Sequence, residues 1–405
     1  MRLFFALFLC LDAGAHAEQS PYEVHAIVDI RAAGIDSPLD SFLHGGLGLL
    51  RFDDHHDGLQ LGRLALDVSG PLTESVRGQV TLVAADGVND NVIDITEAFL
   101  EWRPYPRSQW SWRTKIGAFY PPISLENRGI AWQSLYSLSP SAINTWIGEE
   151  VRTIGVETRL TNSGAALQRP FDISVIASIY GWNDPMGVLI FQRGWAIHDY
   201  EIPVFGTVPR PFPQGTGDAD VGFAHEIDGR AGYYAGIETR LYGQHVLRAL
   251  HYDNRGDPGA SNSIEYAWLN RFDSFGARFE LPHGVTLIGQ YMEGDTAVGP
   301  SSDGRGMFIA DFWSWFALAS HTRGKHTFTA RHDRMWIYST RGMQYFESEQ
   351  DADAWTFSYL YNRDEHWMIG MEALRIDGVL EQRELWGLPA AAVEQQVQVA
   401  IRYTF

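Results

Sequence analysis

The densest set of metal-ligating side chains in this 405-residue chain is Asp53-Asp54-His55-His56-Asp57, closed by Gly58. Imidazole beside carboxylate is divalent-cation chemistry. Sequence neighbours on one loop rarely converge on a single ion, and no His-x-x-x-His spacing supports them. The run is therefore expected to be a solvated acidic loop, with no metal site assigned. Hydrolysis would need a Ser activated by a His that a polar partner holds. The chain has many Ser and includes His245, His251, His326 and His332 in alternating segments, but it shows no Gly-x-Ser-x-Gly or other nucleophile signature. No catalytic residue and no cofactor is assigned. Neither a Gly-rich phosphate loop before a helix nor a basic stripe interleaved with aromatics is present, so nucleotide and nucleic-acid partners have no support.

Charge at every second position is the other pattern with chemical meaning. A two-residue period puts Arg63, Asp67, Arg77, Glu97, Glu101, Arg103, Arg113, Lys115, Glu157, Arg159, Glu238, Arg240, Arg278, Glu280, Arg331, Asp333, Glu372 and Arg402 on the interior face of their segments, nearly balanced in sign. The whole chain stands at −19, so its acidic excess belongs to the connections, such as Asp53-Asp54 and Glu347 through Asp353. A mixed-charge wall around water orders ions by its transverse field. It is equally what keeps any wide lumen wet.

The elements that would carry such a wall are strands. In the last segment Val397, Val399, Ile401, Tyr403 and Phe405 share one face, while Gln396, Gln398, Ala400, Arg402 and Thr404 share the other. That period is long enough to cross a hydrocarbon layer as a tilted strand. About sixteen such segments succeed one another, joined alternately by short connections (Gly70–Ser75, Tyr242–Gly243) and long ones (Tyr120–Val151, Gly181–Arg230). The fold class that follows is all-β: a transmembrane antiparallel up-and-down β-barrel with short periplasmic turns and long extracellular loops. Eighteen strands is the alternative count. Ser263–Leu281 changes phase near Asp273, which reads as a bulge or one very long strand.

Composition agrees. Fourteen Trp, 17 Tyr and 22 Phe accompany a mean hydropathy of −0.19, as expected where half of each strand faces water and aromatics gird two interfaces. Met1-Arg2, the apolar run Leu3 to Leu11 and the small residues through Ala17 read as a secretory signal cut after Ala17. The cut removes Cys10, the only cysteine, and leaves 18–405 as one barrel domain without disulfides. The loop Tyr120–Val151 carries Ile123, Leu125, Trp132, Tyr136, Trp146 and other apolar residues that would not stay in water, so it is expected to fold into the lumen.

Glu97-Ala98-Phe99-Leu100-Glu101-Trp102, followed by Lys115-Ile116-Gly117-Ala118-Phe119-Tyr120-Pro121-Pro122-Ile123-Ser124-Leu125-Glu126, resembles the matching strand pair of the phosphate-selective porin O/P family. The resemblance covers well under a quarter of the chain and implies a sixteen-stranded, usually trimeric outer-membrane channel. Anion-selective members carry many Lys and Arg along the lumen. This chain departs from them, with Lys115 and Lys325 as its only lysines.

The expectation is passive, size- and charge-filtered diffusion of small hydrophilic solutes or ions across the bacterial outer membrane, anions such as phosphate included. The constriction would be Arg113 and Lys115 on the strand entering the loop and Glu126 and Arg128 within it, faced by Arg63, Arg77, Glu97 and Glu101. Outer-membrane lipids and lipopolysaccharide would surround a homotrimer. The competing readings are a membrane-embedded lipid hydrolase and a surface-binding barrel, both with a plugged lumen.

Overall fold

The computed structural model describes residues 21–84, 93–106, 108–209, 220–262, 265–342 and 349–405; the segment expected to be a secretory signal, 1–17, lies outside them. Eighteen strands follow in chain order: β1 (Glu23–Asp36), β2 (Gly58–Pro71), β3 (Val76–Ala84), β4 (Asp94–Trp102), β5 (Trp110–Phe119), β6 (Thr153–Asn162), β7 (Phe171–Gly181), β8 (Thr207–Val208), β9 (Val221–Gly222), β10 (Gly232–Leu241), β11 (His245–Asp253), β12 (Trp268–Leu281), β13 (Val285–Val298), β14 (Phe308–Arg323), β15 (His326–Arg341), β16 (Gln350–Asn362), β17 (Trp367–Leu380) and β18 (Ala391–Thr404). Two helices, α1 (Ala142–Glu149) and α2 (Val188–Gln192), lie in the long connections.

Sixteen of the strands form a closed antiparallel barrel. Each pairs with its neighbour in sequence, β7 meets β10 across the separate β8–β9 hairpin, and β18 closes on β1. Closure pairs every backbone ladder, which is what lets a strand structure sit in hydrocarbon. The C-terminus is tied in as well, since the Phe405 amide donates to Ala26 O (2.9 Å). The tight turns suit the strand twist. Tyr242 and Gly243 both have positive φ (51° and 73°), the geometry of a two-residue hairpin.

The alternation changes sign partway up the barrel. Near the short-turn end the outward residues are apolar, as Phe328 and Ala330, Phe357, and Met371 and Ala373, while Thr327, Thr329, Arg331, Ser358 and Glu372 point inward and are buried. Towards the long-loop end the outward positions become His332, Arg334, Asp353, Arg375 and Asp377, and the inward ones Met335, Ile337, Ala352, Leu374 and Ile376. Strands β12 and β13 do the same. Arg271, Asp273, Glu293 and Asp295 lie outside Trp268, Phe272 and Met292. Tyr291, Trp315 and Trp355 mark the changeover on the outer surface, the place of an interfacial aromatic girdle. Above it the outer wall carries ion pairs, including Arg334–Asp353 (3.1 Å), His251–Asp273 (2.9 Å) and Arg271–Asp295 (2.8 Å).

This inversion decides between the two readings of Ser263–Leu281, a bulge or one long strand, in favour of the strand. The strand begins at Trp268 and pairs with β13 through Leu281 without a register shift. The phase change near Asp273 is a change in which face is apolar, outward on one side of it and inward on the other, with no bulge. The bulges lie elsewhere. One is at Gly62, where the β1–β2 register shifts and a Cβ would sit 2.3 Å from Asp29 Oδ1.

The outer half of the lumen is therefore a hydrophobic core. Trp146, Trp195, Phe272, Phe312, Ile190 and Ile197 belong to one buried cluster, in which Trp146 meets Trp195, Phe272 and Phe312 edge-on at 5.2–5.5 Å. A fully buried side chain of this size contributes roughly 1.5–3 kcal/mol.

A membrane-impermeant maleimide should thus label Asp353→Cys on intact cells and leave Phe357→Cys (bilayer) and Ala354→Cys (core) untouched; equal labelling at 353 and 354 would refute the dry outer half. Phe312→Ala should lower stability by about 3–5 kcal/mol, read from denaturant unfolding of the refolded barrel.

Candidate functional site

Two segments fill the lumen. The first, 120–151, runs from wall to wall. Arg248 of β11 donates to Pro122 O (2.7 Å) and Ser124 O (3.1 Å). Ala131 packs with Ile27, Ala65 and Val83 of β1–β3. The Leu138 and Ser139 amides donate to Glu372 of β17 (2.7 and 3.2 Å), and Arg331 of β15 donates to Ser139 O and Pro140 O (2.7 and 2.9 Å). Ser141 then caps α1, accepting from the Asn144 amide, and the Ala142 amide donates to Asp333 (3.0 Å).

The second segment, 183–204, lies on the first. Arg193 makes a two-pronged pair with Glu149 (2.6 and 2.9 Å), and His198 closes on the same carboxylate at 2.8 Å. Glu150 has no such cation. It accepts from the amides of Gly187, Leu189 and Ile190 at the start of α2 and from Trp146 Nε1.

Against β1, β2 and β18 the plug is polar, and there it forms a seam. Asp199 reaches Arg31 (2.6 Å) and Arg51 (3.0 Å), and its carbonyl accepts from Arg63 (2.7 Å). Glu201 takes Arg63 at 2.5 Å and the Tyr120 hydroxyl at 3.1 Å. Asp29 bridges Arg31 (3.0 Å) and Arg402 (2.7 Å). Burial works to raise the Asp199 carboxyl, but the guanidinium groups of Arg31, Arg51 and Arg63 outweigh it and hold the group far below the usual carboxylate range. Beside these pairs Arg63, Asn127, Trp132, Gln133, Asn144 and Glu201 line a cavity of about 10 Å³, room for one water. Gln133 Nε2 and Asn144 Oδ1 are buried there without a protein partner. Orphan amides beside a polar void are the signature of internal water.

The eight residues expected at the constriction separate into several places. Arg63 is in the seam. Glu97 supports the loop entrance, accepting the Tyr120 amide (3.2 Å). Glu126 is fully buried and turned into the plug, where it accepts from the Ser141 amide (2.7 Å) and Asn144 Nδ2 (2.8 Å) and stands 3.7 Å from Arg331. Arg128 points the other way, exposed, with its guanidinium on the Tyr136 hydroxyl (2.8 Å). Arg77, paired with Glu23 and Ser69, sits at the short-turn rim.

Glu101, Arg113 and Lys115 line the vestibule below the plug. Glu101 pairs with Arg103 and lies 3.6 Å from Arg113, and the Lys115 ammonium stands over the Phe99 ring at 4.5 Å. Arg113 faces Arg159 directly across the β5–β6 ladder. Arg159, Arg240 and Arg248 share the single carboxylate of Glu238 (2.9, 3.6 and 2.5 Å). A recess of about 310 Å³ at this mouth is lined by Arg103, Arg113, Arg159, Ser111 and Thr161. Sequence reasoning missed Asp29, Arg31 and Arg51 and the Asp199–Glu201 pair. Asp29 and Arg31 were legible as alternate positions of a strand. Nothing in the Pro- and Gly-rich loop marked Asp199 or Glu201.

No family model matches the sequence, and no curated protein does. Among solved structures the chain is similar to the outer membrane channel DcaP of Acinetobacter baumannii, at 12% identity and TM-score 0.56 over 97% of this chain and 100% of that one. It is also similar to OmpT, an outer membrane protein of Vibrio cholerae in trimer form, at 9% identity and TM-score 0.51 over 95% and 99%. Likeness at this identity shows the shared barrel fold.

Glu150 gives the plug a pH dependence. Burial, opposed by the amides and Trp146 that favour the anion, pushes its carboxyl up from 4.5 to about 7. The folded protein then holds a proton that the unfolded chain releases, so this group's contribution to stability is lost as pH rises between those two values. Glu150→Gln should melt higher relative to the parent at pH 8 than at pH 5; an advantage equal at both would remove Glu150 as the source.

Proposed function

We propose that the protein is an outer-membrane channel that passes small hydrophilic solutes and ions, anions preferred, along the seam between its plug and the β1–β2–β18 wall. The seam itself carries the reading. Elsewhere the plug's buried charges are tied in compact sets, as Glu149 with Arg193 and His198, whereas here Arg31, Arg51, Arg63 and Arg402 stand against Asp29, Asp199 and Glu201 beside a small polar cavity. Buried ion pairs are commonly no more stabilising than apolar packing of the same volume. A filler whose only role was stability has no need of them.

Anion preference comes from the path and not from the net charge. The vestibule recess is flanked by arginines on adjacent strands, and the seam presents four guanidinium groups. A narrow low-dielectric route weights such nearby charges over the net −19 of the whole chain. Arg63, Arg113, Lys115 and Arg128 act as the filter. Glu97, Glu101 and Glu126 act by positioning, and Arg77 guards the rim.

The outer surface supports the membrane setting. Strands β3 to β7 and β10 are 9–11 residues long and largely apolar outside, while β12 to β18 are 13–16 residues long and charged above the girdle. The short uncharged wall is the face that meets other copies, as in a trimer. The tall wall lies against lipid and lipopolysaccharide head groups. No nucleophile constellation supports the lipid-hydrolase reading. The filled outer half is what a closed, surface-binding barrel would also show, so conductance discriminates.

Planar-bilayer recording of the refolded protein in a salt gradient should give small conductance steps in groups of three and a reversal potential of anion-preferring sign. Arg63→Glu and Arg113→Glu should each move that potential towards cations. A heat-modifiable barrel that carries no current, or a potential that neither substitution moves, would refute the proposal in favour of a closed barrel.

A further inference from the structure

The run Asp53 to Asp57 was the strongest metal-like motif in the sequence, and its five members do not converge. The fold instead divides Asp53, Asp54, His55 and His56 between two trios, leaves Asp57 out, and supplies the third ligand of each from the other side of the same loop. Ser41 binds the loop onto itself, its hydroxyl donating to Leu50 O (3.0 Å) and Arg51 O (2.8 Å). A single 3₁₀ turn, Phe42–His44, follows and ends on Gly45 at φ 80°. This turn lays the His44 ring on the His56 ring, with centroids 3.5 Å apart and planes within 16°. Asp53 completes the trio, and the ligating atoms of His44, Asp53 and His56 all lie within 4.8 Å of one another.

Asp53 is placed as a ligand is placed. Its side chain is 1% exposed. The Ser41 amide (2.9 Å) holds one carboxylate oxygen, and the His55 and His56 amides (3.1 and 2.9 Å) hold the other, which also faces His56 Nδ1 at 2.6 Å. Among the described residues no guanidinium or ammonium is paired with this carboxylate. Its charge is fixed in orientation and turned towards two imidazoles at the surface.

We propose that His44, Asp53 and His56 form a binding site for a divalent transition-metal ion of the zinc class on the long-loop rim of the barrel. Two imidazole nitrogens and one carboxylate oxygen are a borderline donor set that favours such ions over calcium or magnesium, which prefer oxygen throughout. To share the ion the two rings turn from face-to-face to edge-on by side-chain rotation, and water fills the remaining positions. The neighbouring trio Asp40, Asp54 and His55 is fully exposed and is not the site. The site belongs to the loop that carries Arg51 into the seam, two residues before Asp53.

The test uses untagged full-length barrel, refolded in detergent and stripped with a chelator, then titrated calorimetrically with zinc chloride. One zinc per chain is expected. Loss of an outer-shell partner alone weakens metal sites about 10–100-fold, so His44→Ala and His56→Ala should each weaken binding by at least about tenfold. His55→Ala should leave it unchanged. Cobalt chloride is the second probe: its visible d–d bands should appear with the parent and with His55→Ala and vanish with the other two. Heat-modifiable gel mobility checks that each variant is folded. Undetectable binding at millimolar zinc, affinity unchanged in His44→Ala and His56→Ala, or affinity lost only in His55→Ala would each overturn the assignment.

Discussion

The dry core inside the outer half of the barrel is the constraint on which the rest depends. A closed barrel needs no such core, since its ladders already satisfy the backbone. The plug does need it. Ordering a residue costs about 1–2 kcal/mol of backbone entropy, and two loop segments as long as 120–151 and 183–204 stay in place only if their apolar side chains find partners. The wall supplies them by turning Phe272, Phe312, Ile337, Leu374 and Ile376 inward. The same strands must then face outward with charge, because at that height their other side has left the bilayer. One boundary thus sets the position of the girdle, the exposed ion pairs and the course of the plug.

Within that core the buried charges fall into two kinds. Glu149 with Arg193 and His198, and Asp333 and Glu126 with Arg331, tie one segment to another or to the wall, each through several close contacts. Removing one member of either set strands another at a cost of about 3–5 kcal/mol. The seam is different. Its carboxylates are shared among more guanidinium groups than they can neutralise, and amides with no partner border its void. A latch has no use for spare hydrogen-bonding capacity, whereas a path for hydrated solute does.

The barrel was legible because its signal is repeated. Sixteen strands, alternating loop lengths and a terminal Phe all rest on the two-residue period and on turn chemistry, which are local. That 120–151 would not stay in water was legible from its apolar residues, of which Ile123, Leu125, Ile143 and Trp146 are buried. What failed to show were properties that depend on height above the bilayer. At Asp273 a bulge and one long strand looked alike because an outward position is apolar in lipid and charged in water, and sequence carries no marker of where one gives way to the other. Glu126 looked like a filter residue because it follows the strand end. Its orientation is set by Ser141 and Asn144, which approach only when α1 forms. Asp199 and Glu201 find their arginines on β1, β2 and the loop between them, more than a hundred residues away.

The plug is held unequally, and that bears on how a solute passes. Over β12 to β17 it is welded by the hydrophobic cluster, and lifting it would expose many buried rings at roughly 1.5–3 kcal/mol each. Along β1, β2 and β18 its ties are chiefly Arg–carboxylate contacts, helped by the small cluster around Ala131. An entering anion can take the place of Asp199 or Glu201 in the coordination of Arg51 or Arg63, exchanging one charge-assisted hydrogen bond for another at little net cost. A cation has no equivalent exchange, because each seam carboxylate already faces two or more fixed guanidinium groups or a guanidinium and a tyrosine. On the route we propose, the side of the plug that can yield is also the side that would discriminate by charge, which makes opening and selectivity one event.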